Sequence, residues 1–360
     1  MRKNIFILAL LPIFLLGCSK NTTIKEYETI IEDDKVILHT AVQRAFLKGP
    51  LDDINLYVRG VEELSRPLTP TFSWEEKEGK YTVFLSDQPD FSNAFTYTTD
   101  KNEIAFSNLK IGTDYRYKVF SGSSLIVDET FTTSSEIIRN IYISGVTNAR
   151  DLGGYVTDEG IIKQGLIYRT ARLNESSVDE VENRITSTGI DTMLNQLQIK
   201  TEIDLRMVNN NEVGGLKEGI GVLGESVNYY QCPMDYDLEA TMKAEINDSS
   251  LRRVFSILGN KDNYPLFYHC SIGTDRTGYI SWLINACLGV EEEYLWRDYL
   301  FSNFARISGA RNRETIENGY LKDISQAEGA SMKEKATNYL LSKGVNQKDI
   351  DVLKETMISK

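Results

Sequence analysis

The chain has 360 residues, enough for two ordinary domains, and its 41% apolar and 26% charged composition excludes a wholly disordered polypeptide. Acidic residues outnumber basic ones by 52 to 40, giving a net charge of −12, so no overall field draws the chain to nucleic acid or anionic lipid. An anionic ligand therefore needs a local site. His39 and His269 are the two histidines, and no Cys-x-x-Cys pair occurs, which argues against a zinc finger or a His-rich dinuclear metal hydrolase.

At the N-terminus, Arg2 and Lys3 precede an apolar run over 5–16 that ends at Leu15-Leu-Gly-Cys18. A basic start, a short apolar stretch and a small-residue boundary are the plan of a secretory signal over 1–17. The tetrapeptide resembles a bacterial lipobox, which implies a diacylated Cys18, a bacterial cell-envelope location and a lipid anchor in a membrane. Loss of Arg2 and Lys3 takes the charge from −12 to about −14. Residues 18–65 read as a tether followed by short strands at 36–38 and 54–58, with a turn at Gly49-Pro50.

Between 66 and 135, short alternating segments follow one another at turn-like intervals: Phe72-Ser-Trp74, Tyr81-Thr-Val-Phe-Leu85, Ile104-Ala-Phe106, Tyr115-Arg-Tyr-Lys-Val-Phe120 and Glu129-Thr-Phe131. This spacing predicts an all-β sandwich. Trp74 and Leu109-Lys-Ile-Gly-Thr-Asp-Tyr115 resemble the core tryptophan and tyrosine corner of a fibronectin type III module, expected to act as a spacer with no assignable partner. From 137 to 360 the pattern changes to alternating strands (201–205, 226–230, 265–268) and helices (177–188, 239–258, 291–304, 332–341). The expectation is an α/β domain with a central, mainly parallel sheet flanked by helices.

The chemistry concentrates in Tyr268-His-Cys-Ser-Ile-Gly-Thr-Asp-Arg-Thr-Gly278, between an apolar strand and a helix. A strand-to-helix loop gathers backbone amides at a helix N-terminus, where the dipole favours anions and a thiolate. An arginine there can fork onto two phosphate oxygens. The segment resembles the Cys-x5-Arg-Thr loop of cysteine-dependent phosphatases. Asn148-Ala-Arg-Asp-Leu-Gly-Gly-Tyr155, Ile167-Tyr-Arg-Thr170, Ile203-Asp-Leu-Arg206 and Asp298-Tyr-Leu-Phe-Ser-Asn303 extend the resemblance to the bacterial tyrosine/serine phosphatase family. Read as structure alone, Gly153-Gly154 is a turn, Arg150-Asp151 an ion pair, and Arg206 a brace of the sheet edge.

The resemblance implies Cys270 as nucleophile, Arg276 with Ser271, Ile272, Gly273, Thr274 and Asp275 as phosphate binders, Thr277 as support for the leaving thiolate, and His269 as an orienting residue. Asp275 and Asp235 both qualify as general acid; Asp275 is preferred, and Asp237 ranks third. Thr274 stands where lipid-active relatives often carry lysine, which favours phosphotyrosine proteins or small phosphoesters over inositol lipids. A phosphoinositide phosphatase and a phosphate-binding or adhesion lipoprotein without turnover are the alternatives. Cys287 reads as core, and Cys232 as core or a disulfide partner of Cys270. No metal, organic cofactor or nucleic-acid partner is implied.

Overall fold

The computed structural model describes residues 29–175, 183–235 and 245–359. The signal, Cys18, Asp237 and parts of two expected helices lie outside them. No helix among the described residues is long and apolar enough to cross a membrane.

The N-terminal strands form a six-stranded sheet in the order Ile31–Glu32, Lys35–Val36, Ser124–Thr133, Asp114–Ser121, Tyr81–Ser86, Phe95–Thr99. Its neighbours are antiparallel except Lys35–Val36, which runs parallel to Ser124–Thr133, so the sheet is mixed. Tyr81, Val83 and Leu85 alternate inward along one strand and meet Trp74, Phe106, Tyr115 and Tyr117 in a single core. A two-stranded sheet, Thr71–Ser73 with Glu103–Ala105, adds Phe72 and Ile104 to that core. The Tyr115 hydroxyl accepts from Lys110 N at 2.9 Å.

Residues 54–58 are not the expected strand. A 3-10 turn, Leu51–Asp53, leads into the helix Ile54–Tyr57. In a strand Ile54, Leu56 and Val58 would share a face; here Ile54 and Val58 are buried one helical turn apart, while Leu56 is 80% exposed. The preceding helix Ala41–Lys48 is closed by a reciprocal Thr40/Gln43 capping box. Its Phe46 is wholly buried against Phe301 and Phe304. Arg297 donates to Phe46 O and Gly49 O, satisfying carbonyls at the end of that helix. Residues 41–58 thus share a core with the C-terminal half.

That half is built on a five-stranded sheet in the order Asn228–Gln231, Thr201–Asp204, Leu266–His269, Ile167–Thr170, Arg150–Asp151. The first four strands are parallel and only Arg150–Asp151 is antiparallel to its neighbour. Leu266 and Tyr268 enter one core and Phe267 the other, so both faces of the central strand are covered. The expected helix over 177–188 begins later. Residues 183–186 are non-helical, and Thr186 caps the helix Ser187–Asp191 by accepting from Gly189 N. Glu245–Leu258, Glu292–Phe301 and Met332–Ser342 are helical as expected.

Candidate active site

Cys270 is the first residue after the strand Leu266–His269, and the helix Asp275–Cys287 begins five residues later. Each carbonyl in between is tied to a neighbour. Cys270 O accepts from His269 Nδ1 at 3.1 Å, and Ser271 O accepts from Arg172 N and Nη1 at 3.1 and 3.2 Å. Ile272 O accepts from Asn148 Nδ2 at 3.1 Å, and Gly273 O from Asn148 Nδ2 and Arg169 Nη2 at 2.9 and 2.7 Å. Thr274 O accepts from Gly278 N at 2.6 Å, starting the helix. A peptide unit with its carbonyl held outward turns its N–H to the other side, so the loop amides converge on one concavity. Gly273 sits at φ +69°, and a Cβ there would lie 2.5 Å from Thr170 O, so the turn requires glycine.

Two of the tying side chains, Asn148 and Arg169, depend on one buried carboxylate. Asp298 Oδ1 accepts from Arg150 Nε at 2.7 Å, and its other oxygen accepts from Arg169 Nη1. Arg150 Nη1 then donates to Asn148 Oδ1, which orients the amide that holds the loop. Burial alone would push the Asp298 carboxyl up, but the two guanidiniums hold it below the usual range. Arg150 and Asp151 therefore do not pair with each other as expected. Adjacent strand residues point to opposite faces, and Asp151 pairs with Arg139 at 2.6 Å.

Arg276 is 4% exposed and donates from Nη1 to Glu212 Oε2 at 2.8 Å and Met234 O at 3.2 Å. Burial opposes its charge, while Cys270 and Glu212 support it strongly enough to raise its pKa above the ordinary arginine value. Arg206 lies two residues past the strand Thr201–Asp204, which has a strand on either side, and its side chain is wholly buried, so it does not brace a lateral edge of the sheet. Chelated by Asp204, Arg206 donates to Glu212 O at 2.7 Å and so places the carboxylate that aims Arg276. His269 Nε2 lies 3.1 Å from Glu202 Oε1, whose carboxyl burial pushes up, and its Nδ1 is 3.9 Å from Asp204.

Thr277 Oγ1 is buried without a hydrogen-bond partner among the described residues. Asp275 is half-buried and accepts from Tyr299 Oη at 3.1 Å and from Arg311 Nε and Nη2 at 3.3 Å. Asp235 follows Met234, whose carbonyl touches Arg276; its own backbone is fixed by Asn247 Oδ1 and the Tyr320 hydroxyl. Asp275 thus stands at the end of the loop, and Asp235 follows a residue in contact with Arg276. The three described cysteines are free and buried. Cys287 belongs to the core, and burial pushes the Cys232 thiol up to about 12. No cluster of three or more His, Cys, Asp or Glu able to hold a metal occurs among the described residues.

Glu212, Arg172 and Arg311 carry no sequence signal, and Asp298 and Tyr299 stand out only as part of a motif. Glu212 lies 64 positions from Arg276, in the one-turn helix Asn210–Val213, without any local signal. Asp298 opens a quoted segment, but its partners Arg150 and Arg169 become evident only once the sheet is assembled.

A strand–loop–helix cradle with a buried cysteine and arginine defines the class, and the comparison with known families agrees. The chain belongs to the tyrosine phosphatase family, whose sequence profile matches residues 141–359. A Cupriavidus necator protein provisionally named a tyrosine-protein phosphatase is 25% identical over 184 residues, covering 44% of this chain and 61% of that protein. A Scheffersomyces stipitis protein, provisionally named tyrosine-protein phosphatase OCA1, is 28% identical over 82 residues, 21% of this chain and 39% of its own length. The chain thus spans less than two thirds of either relative. Among solved structures, the catalytic core of the PP-IP phosphatase SIW14 from S. cerevisiae matches at 18% identity and TM-score 0.31, covering 49% of this chain and 86% of that one. TpbA of P. aeruginosa in complex with pTyr matches at 14% and 0.28, covering 53% and 85%.

Asp204 supplies a pH-dependent test. Burial acts to raise its carboxyl, but His269 and Arg206 outweigh that and hold it at about 2. A carboxyl depressed on folding stabilises above its unfolded value and loses that contribution as pH falls through the folded one. The stability difference between the natural protein and Asp204→Asn should be constant above about pH 5 and shrink by about 2 kcal/mol toward pH 2. Urea denaturation across that range checks it; a difference independent of pH contradicts the depressed carboxyl.

Proposed function

We propose that this protein hydrolyses phosphomonoesters, phosphotyrosine above all, through a phosphocysteine intermediate on Cys270. The observation that carries the reading is the loop itself: every carbonyl from Cys270 to Thr274 is tied away, leaving a nest of amides beneath a buried Arg276. Cys270 Sγ attacks phosphorus and the ester P–O bond breaks, while Asp275 gives its proton to the departing oxygen. Arg276 and the amides from Ser271 to Arg276 bind the three equatorial oxygens as charge spreads over them. Water then attacks phosphorus, Asp275 takes back a proton, and the Thr277 hydroxyl donates to the departing thiolate. The unpartnered state of Thr277 Oγ1 supports that last role, since a committed hydroxyl has no proton to offer. Thr274 in place of a lysine leaves the loop without an extra cation and supports an aryl phosphate over a polyphosphorylated inositol lipid.

Residues 66–135 serve in this reading as a fibronectin type III-like spacer. The bond from Lys110 N to the Tyr115 hydroxyl supports the tyrosine-corner resemblance. The lipobox-like Leu15-Leu-Gly-Cys18 supports a lipid anchor in the bacterial envelope.

Three measurements test these readings. Cys270→Ser should abolish turnover of phosphotyrosine peptide while orthovanadate still binds, and Arg276→Ala should lose both. Across phosphotyrosine peptide, phosphoserine peptide and phosphoinositide vesicles, kcat/KM should be highest for the first; the opposite ranking overturns the substrate assignment. Mass spectrometry of membrane-extracted protein should find acyl chains on Cys18, and an unmodified Cys18 removes the anchor.

A further inference from the structure

Residues 58–65 form no regular element, yet their backbone bonds to the 303–309 stretch and the Glu63 side chain reaches Thr147. Gly60 N donates to Asn303 O at 2.9 Å, and Gly60 O accepts from Ile307 N at 2.9 Å and Gly309 N at 3.2 Å. Leu64 N donates to Phe304 O at 2.6 Å. On the other side Glu63 accepts from the Thr147 hydroxyl, next to the Asn148 that holds two loop carbonyls. The segment is itself anchored by Gln43, wholly buried in the helix Ala41–Lys48, whose Nε2 donates to Leu64 O at 2.7 Å and Arg66 O at 3.0 Å.

The stretch it grips, 303–311, leads to Arg311. The Asn303 side chain brackets that residue, accepting from Arg311 N at 2.6 Å and donating to Arg311 O at 2.9 Å. Arg311 then donates to both oxygens of Asp275, and its charge is also supported by Cys270. A continuous relay therefore runs from Gly60 through Asn303 and Arg311 to Asp275. None of residues 58–65 lies within the family match, which begins at residue 141.

We propose that the segment 58–65 is a positioning element of the active site, which sets the 303–311 stretch so that Arg311 aims the Asp275 carboxyl at the leaving oxygen. The proposal rests on the reading of Asp275 as general acid. It makes catalytic geometry depend on residues far upstream of the conventional phosphatase region. Gly60 is the point at which to test it. Its φ is +68°, and a Cβ would fall 2.7 Å from Gly309 O and 2.8 Å from Ile307 Cγ1, so Gly60→Ala must displace the stretch it holds.

The experiment compares an activated aryl phosphate with an alkyl phosphate, using the full chain. An acid matters little when the leaving group is already acidic, so Gly60→Ala should reduce kcat on the alkyl ester by about tenfold more than on the aryl ester. Orthovanadate affinity should stay the same, because the cradle is tied by other residues. Asn303→Ser, one link further along, should give the same pattern and carries the test if Gly60→Ala does not fold. Arg311→Ala should match both, Arg311→Lys should recover part of the loss, and Gly60→Ala combined with Arg311→Ala should be no worse than either alone. Equal losses on both esters, or weakened orthovanadate binding in Gly60→Ala and Asn303→Ser, overturn the proposal. If Asp275→Asn shows the leaving-group dependence and the relay variants do not, the relay fails while the acid assignment stands. If Asp275→Asn lacks it, the acid assignment itself fails.

Discussion

A peptide unit cannot turn its carbonyl outward without turning its N–H inward, and the active site depends on that constraint being imposed five times in succession. The agents are His269, Arg172, Asn148, Arg169 and the first turn of the helix Asp275–Cys287. Asn148 and Arg169 are in turn placed by Asp298, one carboxylate between two buried guanidiniums. Taking that carboxylate away would strand two buried cations, a loss on the order of 3–5 kcal/mol for a broken buried pair. Two arginines against one aspartate also leave a positive surplus behind the cradle.

That local surplus reconciles an anion-binding site with a chain of net charge −12. In the proposed reading, attraction of a phosphoester is not delegated to the surface. It comes from loop amides, the helix N-terminus and Arg276, all in a setting where water is largely excluded and screening is weak. Arg276 is itself kept from pairing at random by the sequence Asp204, Arg206, Glu212, in which each group holds the next. The cost of such burial is tolerated because every charge in the relay meets an opposite charge or a carbonyl.

How much of this was legible in the sequence depended on how local each relation is. Cys270, Arg276 and their loop lie within eight consecutive residues, so strand, cradle and helix could be read together. Arg150 and Asp151 were misjudged because adjacency in a chain is opposition in a strand. The helix Ile54–Tyr57 mimics a strand in sequence because three alternating apolar residues fit a period of two, although Leu56 faces solvent. Glu212, Asp298 and Arg311 act across 64, 148 and 36 positions of sequence respectively, and nothing near them marks their partners. The helix Ala41–Lys48 was unreadable for the same reason, since Phe46 finds its core among Phe301 and Phe304.

The central claim is that a phosphoryl group rests on Cys270 during turnover. Thr277→Ala removes the hydroxyl assigned to the departing thiolate and should slow the second step, so that the intermediate accumulates. Rapid acid quenching of that variant during turnover of an aryl phosphate, followed by peptide mass spectrometry, reads the outcome directly. The account predicts one phosphoryl group on the peptide carrying Cys270, absent when Cys270 is replaced by serine. A phosphoryl group on another residue, or steady turnover with none on Cys270, would contradict it.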